Sequence, residues 1–209
     1  EKNKMKIPYH LLGLVFVITI ISACHNTATE KNDSIFFGIY STYNLDDVPL
    51  DFRTSLNQPG FIPENNTSMS IIGYKPMNDT IPLLQYNDGN FGLFETHYTV
   101  DDNQQYKAVI ALERYPSLSI GDLKNCRNID GNVELLMNES GKAKWSEFTK
   151  SNKGKRVALV IGEYIYTLPY INYEIVSGIA MVSGINNDSI ADLMIDRLNS
   201  SVKMNINSD

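Results

Sequence analysis

Val157 to Ile161 is a run of five consecutive apolar residues with no polar alternation. A strand with one wet face alternates, so a run that does not must be covered on both sides. A short buried helix also lacks alternation, but five residues is strand length, and the valines and isoleucine favour extended backbone. Gly162-Glu163 follows, and glycine at the first of two central positions suits a type II′ turn. The chain then returns through Tyr164, Ile165 and Tyr166, so the spacing predicts a β-hairpin whose first strand is doubly covered.

Other features stand around this hairpin in a fixed order. Gly154-Lys155-Arg156 precedes it, and Pro169, Ile171-Asn172, Ile175, Gly178, Gly184 and an amphipathic run from Asp188 to Leu198 follow. Upstream lie LSIGDLKNC (118–126) and NVELLMNESGKAKWSEFT (132–149). Taken in order, these segments resemble the head part of the first large periplasmic domain of the SecD/SecDF protein-export membrane proteins, over about residues 112–206. The resemblance implies a domain that engages exported polypeptide or docks on an export complex, and in that family proton flow through membrane helices drives the movement. Three departures are visible. The family's Asp-Gly turn is Gly162-Glu163 here, its paired glycines are Ser177-Gly178, and its charged or small hairpin residues are tyrosines.

The first residues carry a different signal. Lys2, Lys4 and Lys6 precede a mostly apolar run from Leu11 to Ile21, and Ile21-Ser22-Ala23-Cys24 closes it. This predicts a lipoprotein signal peptide over 1–23, with Met5 as its start and Cys24 as the nucleophile that takes the lipid. The run is too short for a membrane span, which needs about 20 apolar residues. His25 to Asp33 is polar and unpatterned, so 24–33 is expected to be a flexible tether and 34–209 a single domain. Three lysines and one glutamate fall within 1–23, so 18 basic against 24 acidic side chains become 15 against 23, a charge of −8. Phosphate backbones repel such a surface, and nucleic acid is excluded as a partner. The expected partner is the membrane, through the acyl chains of Cys24 (diacylglycerol and palmitate), on the extracytoplasmic side of the bacterial cell envelope.

Along the domain, SIFFGIYS (34–41) reads as a first strand, and 44–60 as loop with one helical turn near 52–56. SMSIIGY (68–74), TIPLLQY (80–86), FGLFETHYTV (91–100) and YKAVIAL (106–112) read as an inserted β-meander, with Asn87 to Asn90 as a turn. Ser119 is expected to cap a short helix carrying Leu123 and Cys126 inward; 132–137 is a strand. Asn138 or Ser140 caps a helix that sets Trp145 and Phe148 on one face. Asp188 or Ser189 caps the last helix, with Ile190, Leu193, Met194 and Leu198 as its apolar stripe. Val202, Met204 and Ile206 alternate and predict a closing edge strand. The fold class is α+β: a mainly antiparallel sheet with two or three helices packed on one face.

No catalytic residue, metal ligand or cofactor motif emerges. His97 is the only histidine beyond the tether, and its neighbours in sequence provide no orienting partner. Cys126 has no intramolecular partner once Cys24 is acylated, and it stands where the resembling family has alanine, so it reads as a small buried apolar residue. Asp46-Asp47 and Asp101-Asp102 are adjacent pairs whose side chains diverge. The expectation is therefore a protein that is not an enzyme. One candidate binding feature remains: Tyr164, Tyr166, Tyr170 and Tyr173 fall within ten residues. They serve either as cross-strand packing or as an amphipathic platform for polypeptide. The reading that results is an envelope lipoprotein binding unfolded or exported polypeptide or an export complex. The alternative is a structural or surface-display lipoprotein recognising a glycan or a protein.

The lipobox is open to direct test. Cys24→Ala is expected to leave an unprocessed precursor without acyl label, measured by metabolic labelling with radioactive palmitate and by gel mobility.

Overall fold

The structure is a computed structural model. It describes residues 35–49, 61–64, 70–78, 91–100, 105–183, 185 and 188–207, apart from the side chains of His97 and Asp188. Cys24 and the tether, the turns expected near 52–56 and 87–90, the strand expected at 80–86, and Asp101-Asp102 lie outside the described residues.

The strands, numbered in chain order, are β1 (Phe37–Ser41), β2 (Ile62–Pro63), β3 (Ile71–Pro76), β4 (Phe91–Thr99), β5 (Tyr106–Glu113), β6 (Leu118–Ser119), β7 (Leu123–Ile129), β8 (Asn132–Met137), β9 (Val157–Ile161), β10 (Tyr164–Thr167) and β11 (Ile179–Val182). Two α-helices accompany them, α1 (Glu139–Ser151) and α2 (Asp188–Ile206). Eight strands form one sheet in the order β2-β3-β5-β4-β10-β9-β1-β6, and three form a second in the order β11-β8-β7. All pairings are antiparallel except β10 with β4. This is the α+β architecture expected from the pattern.

The large sheet curls on itself. Thr42, just past β1, bridges Leu112 of β5, and the Tyr43 amide donates to the Ala111 carbonyl at 2.9 Å. The rings of Tyr40 on β1 and Phe94 on β4 lie 5.6 Å apart, although β9 and β10 separate those strands in the sheet. Twist has rolled β5-β4-β10-β9-β1 into a small barrel. Its interior holds Tyr40, Ile110, Leu112, Ala158, Val160 and Ile165. The opposite face of β9 and β1 (Val157, Leu159, Ile161, Phe37, Ile39) belongs to a second core. That core also takes Leu123, Val133 and Leu135 from the small sheet, Trp145 and Phe148 from α1, and Met194 and Leu198 from α2. A smaller cluster lies against the outer face of β5, where Leu45 and Val48 cover Val109 and Ala111.

The central hairpin forms as its sequence predicts. β9 is buried at all five positions. Gly162 has φ +63°, and Glu163 is not among the residues of positive φ, which is the type II′ pattern rather than I′. Asn138 caps α1 by accepting from the Gly141 amide at 2.8 Å, and the Trp145 and Phe148 rings stack with centroids 6.0 Å apart.

Four expectations are corrected. Ser119 opens only a single 3₁₀ turn (Ile120–Asp122), and Leu123 and Cys126 belong to β7. Their three-residue spacing imitates a helix because the register of β7 on β8 slips between Leu123 and Asn125, so both side chains turn inward. The closing strand does not exist: α2 runs on through Val202, Met204 and Ile206. Its buried apolar positions are Ala191, Met194, Ile195, Leu198 and Val202, while Ile190 and Leu193 are exposed, so the stripe is rotated from the one expected. The short run of alternation at its end was outweighed by a 3.6-residue period lasting the whole helix. Finally, β3, β4 and β5 are no meander, because β5 lies between the other two and β4 pairs in parallel with β10.

Two glycines tie the helical part to the sheets. Gly141 lets the first turn of α1 press on the Asp122 carbonyl, where any Cβ would collide with backbone. Asp122 is fixed there by Lys144 at 2.7 Å, and its carbonyl accepts from the Asn138 amide at 3.0 Å. Gly178, at the entry to β11, has φ +70°, and a Cβ there would meet Lys142 Cγ at 2.9 Å. A β-branched residue at that φ is strained irrespective of the space available. Gly178→Val is expected to cost about 1–3 kcal/mol of stability, read as a fall in Tm; an unchanged melting curve would contradict this backbone geometry.

Candidate functional site

The segment from Pro169 to Gly178 joins β10 to β11 and is laced down by its backbone. The Val157 amide donates to the Pro169 carbonyl at 3.0 Å, Gly154 to Ile171 at 2.8 Å, and Ile171 back to Lys155 at 2.9 Å. The Ile175 amide donates to Thr149 Oγ1 at 2.9 Å, which fastens the segment to the end of α1. Ile171 is thereby buried, and its neighbours Tyr170, Asn172 and Tyr173 face outward.

Between this segment, α1 and β11 opens a groove of about 420 Å³, lined by Trp145, Leu159, Pro169, Tyr170, Tyr173 and Met181 among others. Apolar side chains stand exposed around it: Tyr173 is 70% accessible, Val176 63% and Met181 40%. Exposed patches of this kind mark contact sites more often than chance.

β11 is an outer strand of the small sheet. The Met137 amide donates to the Gly178 carbonyl at 2.9 Å, which sets the phase of the ladder. Gly178, Ala180 and Val182 therefore turn their backbone groups toward β8, and Ile179 and Met181 turn theirs outward. The Ile179 carbonyl is taken by Trp145 Nε1–H at 3.2 Å. The sheet's other edge is closed differently, since Asn199 of α2 accepts from the Cys126 amide at 2.7 Å and donates to its carbonyl at 3.0 Å. Among the described residues no strand pairs with the outer edge of β11.

The four tyrosines do not act as one surface. Tyr164 and Tyr166 share a face of β10, but the Lys107 ammonium lies 4.7 Å from the Tyr164 ring and Tyr166 packs on the helical core. Burial pushes the Tyr166 phenol above its usual pKa, with Tyr164 adding to the rise and Arg197 opposing it. Tyr170 and Tyr173 line the groove, and neither Tyr164 nor Tyr166 does. Sequence reasoning missed Trp145 and Met181 as groove residues, because each read only as part of an apolar pattern.

Cys126 is buried, and that burial pushes its thiol up to about 12. His97 falls within β4, its side chain outside the described residues. Asp47 accepts from the Asn44 amide at 3.0 Å in a local cap. Among the described residues no three His, Cys, Asp or Glu side chains gather to hold a metal, and no helix is long and apolar enough to cross a membrane.

Comparison with known proteins agrees with the ordered motifs. The family model for the SecDF P1 head subdomain matches residues 96–200, just over half of the chain. That match begins within β4, so it takes in β5 of the region read from sequence as an insertion. Protein translocase subunit SecD of Rhodothermus marinus is 31% identical over 68 residues, 32% of this chain and 11% of that protein. This chain thus spans only a small part of that relative. A solved structure of the membrane component SecDF, described as enhancing protein export, aligns over 80% of this chain and 63% of its own, with 18% identity and a TM-score of 0.45. SecDF from Thermus thermophilus, a translocon-associated membrane protein, aligns over 42% of this chain and 13% of its own, with 32% identity and a TM-score of 0.33.

The burial of Cys126 has a measurable consequence. Its folded pKa is raised from 9.0 to about 12, so the unfolded chain releases the proton first as pH rises. The stabilisation is complete below pH 9.0 and is lost between there and about 12. At pH 8 the native protein is expected to resist iodoacetamide at Cys126 and to be alkylated in denaturing urea, read by mass spectrometry; rapid native labelling would place the thiol at the surface.

Proposed function

The chain belongs to the SecDF P1 head subdomain family, and from that premise we propose that it is a non-enzymatic lipoprotein of the cell envelope that holds an extended stretch of unfolded or exported polypeptide in the groove beside β11. The observation that carries this reading is the juxtaposition of an open strand edge with an apolar groove. An extended chain laid along β11 finds outward backbone groups at Ile179 and Met181, and its alternate side chains meet Tyr170, Tyr173 and Trp145. Tyrosine suits such a contact because it offers a broad ring and a polar tip with few rotors to freeze. Recognition through backbone and ring area is indifferent to sequence, as a binder of many exported chains requires.

In this reading Cys24 carries the lipid, residues 24–33 form the tether, and 34–209 is the domain that reaches the substrate. The SecDF P1 head match, together with a relative that is a protein translocase subunit, supports a partner at an export complex.

The test is binding of a fluorescent unfolded peptide, followed by anisotropy. Met181→Pro removes an outward amide and leaves the β8 ladder intact, so it is expected to weaken binding with little change in Tm. Tyr170→Ser with Tyr173→Ser is expected to weaken it by about 1–2 kcal/mol per ring. If both variants fold and bind as the parent does, the groove is not the site.

A further inference from the structure

A second cavity, of about 720 Å³, opens beside the groove and shares Thr167 and Tyr170 with it. It lies where the barrel residues Ile71 and Ile110 give way to polar side chains. Its character is opposite to that of the groove.

One wall is a fixed chain of hydroxyl and amide groups. Thr42 Oγ1 donates to the Arg156 carbonyl at 2.9 Å and lies 3.2 Å from Ser70 Oγ, which donates to Asn44 Oδ1 at 3.3 Å. Ser70 is buried, and Thr42 is anchored by its bridge to Leu112, so these groups are in place before any ligand arrives.

Facing this wall are two adjacent cations. Arg156 spends one guanidinium N–H on the Leu168 carbonyl at 2.8 Å, and both Lys155 and Arg156 are exposed. Among the described residues neither has a carboxylate within ion-pair distance, in a chain whose net charge is −6. Two cations concentrated at a cleft of an acidic protein favour an anionic group there.

The remaining lining says what carries that group. Asp47 also lines the cleft, and a carboxylate repels phosphate or a polyanion yet accepts readily from a hydroxyl. A ligand that both donates and accepts satisfies Asp47, Thr42 and Asn44 together, as a sugar with several hydroxyls does and a fully ionised phosphate, which only accepts, does not. Two tyrosine rings stand exposed at the rim: Tyr98 is 41% accessible and Tyr170 52%. Such rings cover the CH faces of sugars while their hydroxyls stay wet. The volume lies within the range of small-ligand sites, roughly 300–1,000 Å³.

We propose that this cleft binds a short acidic glycan, with a sugar carboxylate set against Lys155 and Arg156 and the ring hydroxyls on Asp47 and the Thr42-Ser70-Asn44 wall. The inference stands apart from the polypeptide reading, because only Thr167 and Tyr170 are common to the two sites.

Isothermal titration of the intact protein at low salt tests it, with digalacturonic acid as probe and maltose as the neutral control. Digalacturonate is expected to bind saturably in the millimolar range or below, and maltose at least about tenfold more weakly, since a charge-assisted hydrogen bond is worth about one decade. Lys155→Gln, an exposed change that leaves the backbone bonds of residue 155 alone, is expected to weaken digalacturonate by about tenfold at unchanged Tm. Tyr98→Ser is expected to weaken both sugars, and Tyr173→Ser, which lies outside the cleft, neither. The proposal is overturned if digalacturonate fails to saturate, if maltose binds equally well, or if Lys155→Gln makes no difference. It is also overturned if a peptide ending in a free carboxylate displaces digalacturonate at lower concentration, which would make a chain terminus the ligand.

Discussion

β9 is one wall shared by two cores. Val157, Leu159 and Ile161 point into the helical core, and Ala158 and Val160 into the barrel. Each large side chain so buried contributes about 1.5–3 kcal/mol, and neither core closes without its half of the strand. The loop that builds the groove hangs from the first residue of β9, through the bond from the Val157 amide to the Pro169 carbonyl. The cations of the polar cleft are the two residues just before it, Lys155 and Arg156. A shift of β9 along its own axis would turn side chains out of both cores and misplace both surfaces at once.

This dependence explains which parts of the fold the sequence announces. Five apolar residues without alternation, with β-branched side chains at strand length, favour a doubly covered strand, and Gly162 suits a turn that needs positive φ; both are local statements about steric fit and burial. Asn138 ahead of a helical pattern is another. What fails is every feature set by a partner distant in sequence. Nothing in LKNCRNI announces that its register on β8 slips, so the inward spacing of Leu123 and Cys126 imitates a helix. The order β3-β5-β4 is fixed by a parallel partner some seventy residues later, β10, which holds β4 from its other side. The final helix defeated a local reading because three alternating residues matched a strand as well as they matched the last turn of a helix already four turns long.

The proposed contact surface was legible only as composition. Four tyrosines in ten residues signalled either cross-strand packing or a contact platform, and the pleat of β10 and the course of the following loop decide which of them face solvent. Tyr166 is spent on the core and Tyr164 on Lys107, while Tyr170 and Tyr173 belong to the groove because Ile171 between them is the buried anchor. Ser177-Gly178, where the resembling family has two glycines, keeps its second glycine, and that is the residue with positive φ. Only one residue of the pair needs left-handed backbone here, so the serine is tolerated.

The edge of β11 is open only within limits. Exposed edges recruit copies of the same chain into aggregates, and proteins blunt them by keeping them short or by covering them. β11 has four residues, and of its outward groups the Ile179 carbonyl is already held by Trp145. The other edge of the same sheet is closed by both arms of Asn199. In the proposed binding mode, an arriving chain is left with the Ile179 amide and the amide and carbonyl of Met181, too few for a stable added strand. Ring area from Tyr170, Tyr173 and Trp145 must supply the rest. A contact divided in this way has little registry to defend: a chain can slide or leave by breaking two or three hydrogen bonds. Under the proposed function, that meets the physical requirement for holding a polypeptide in transit without trapping it.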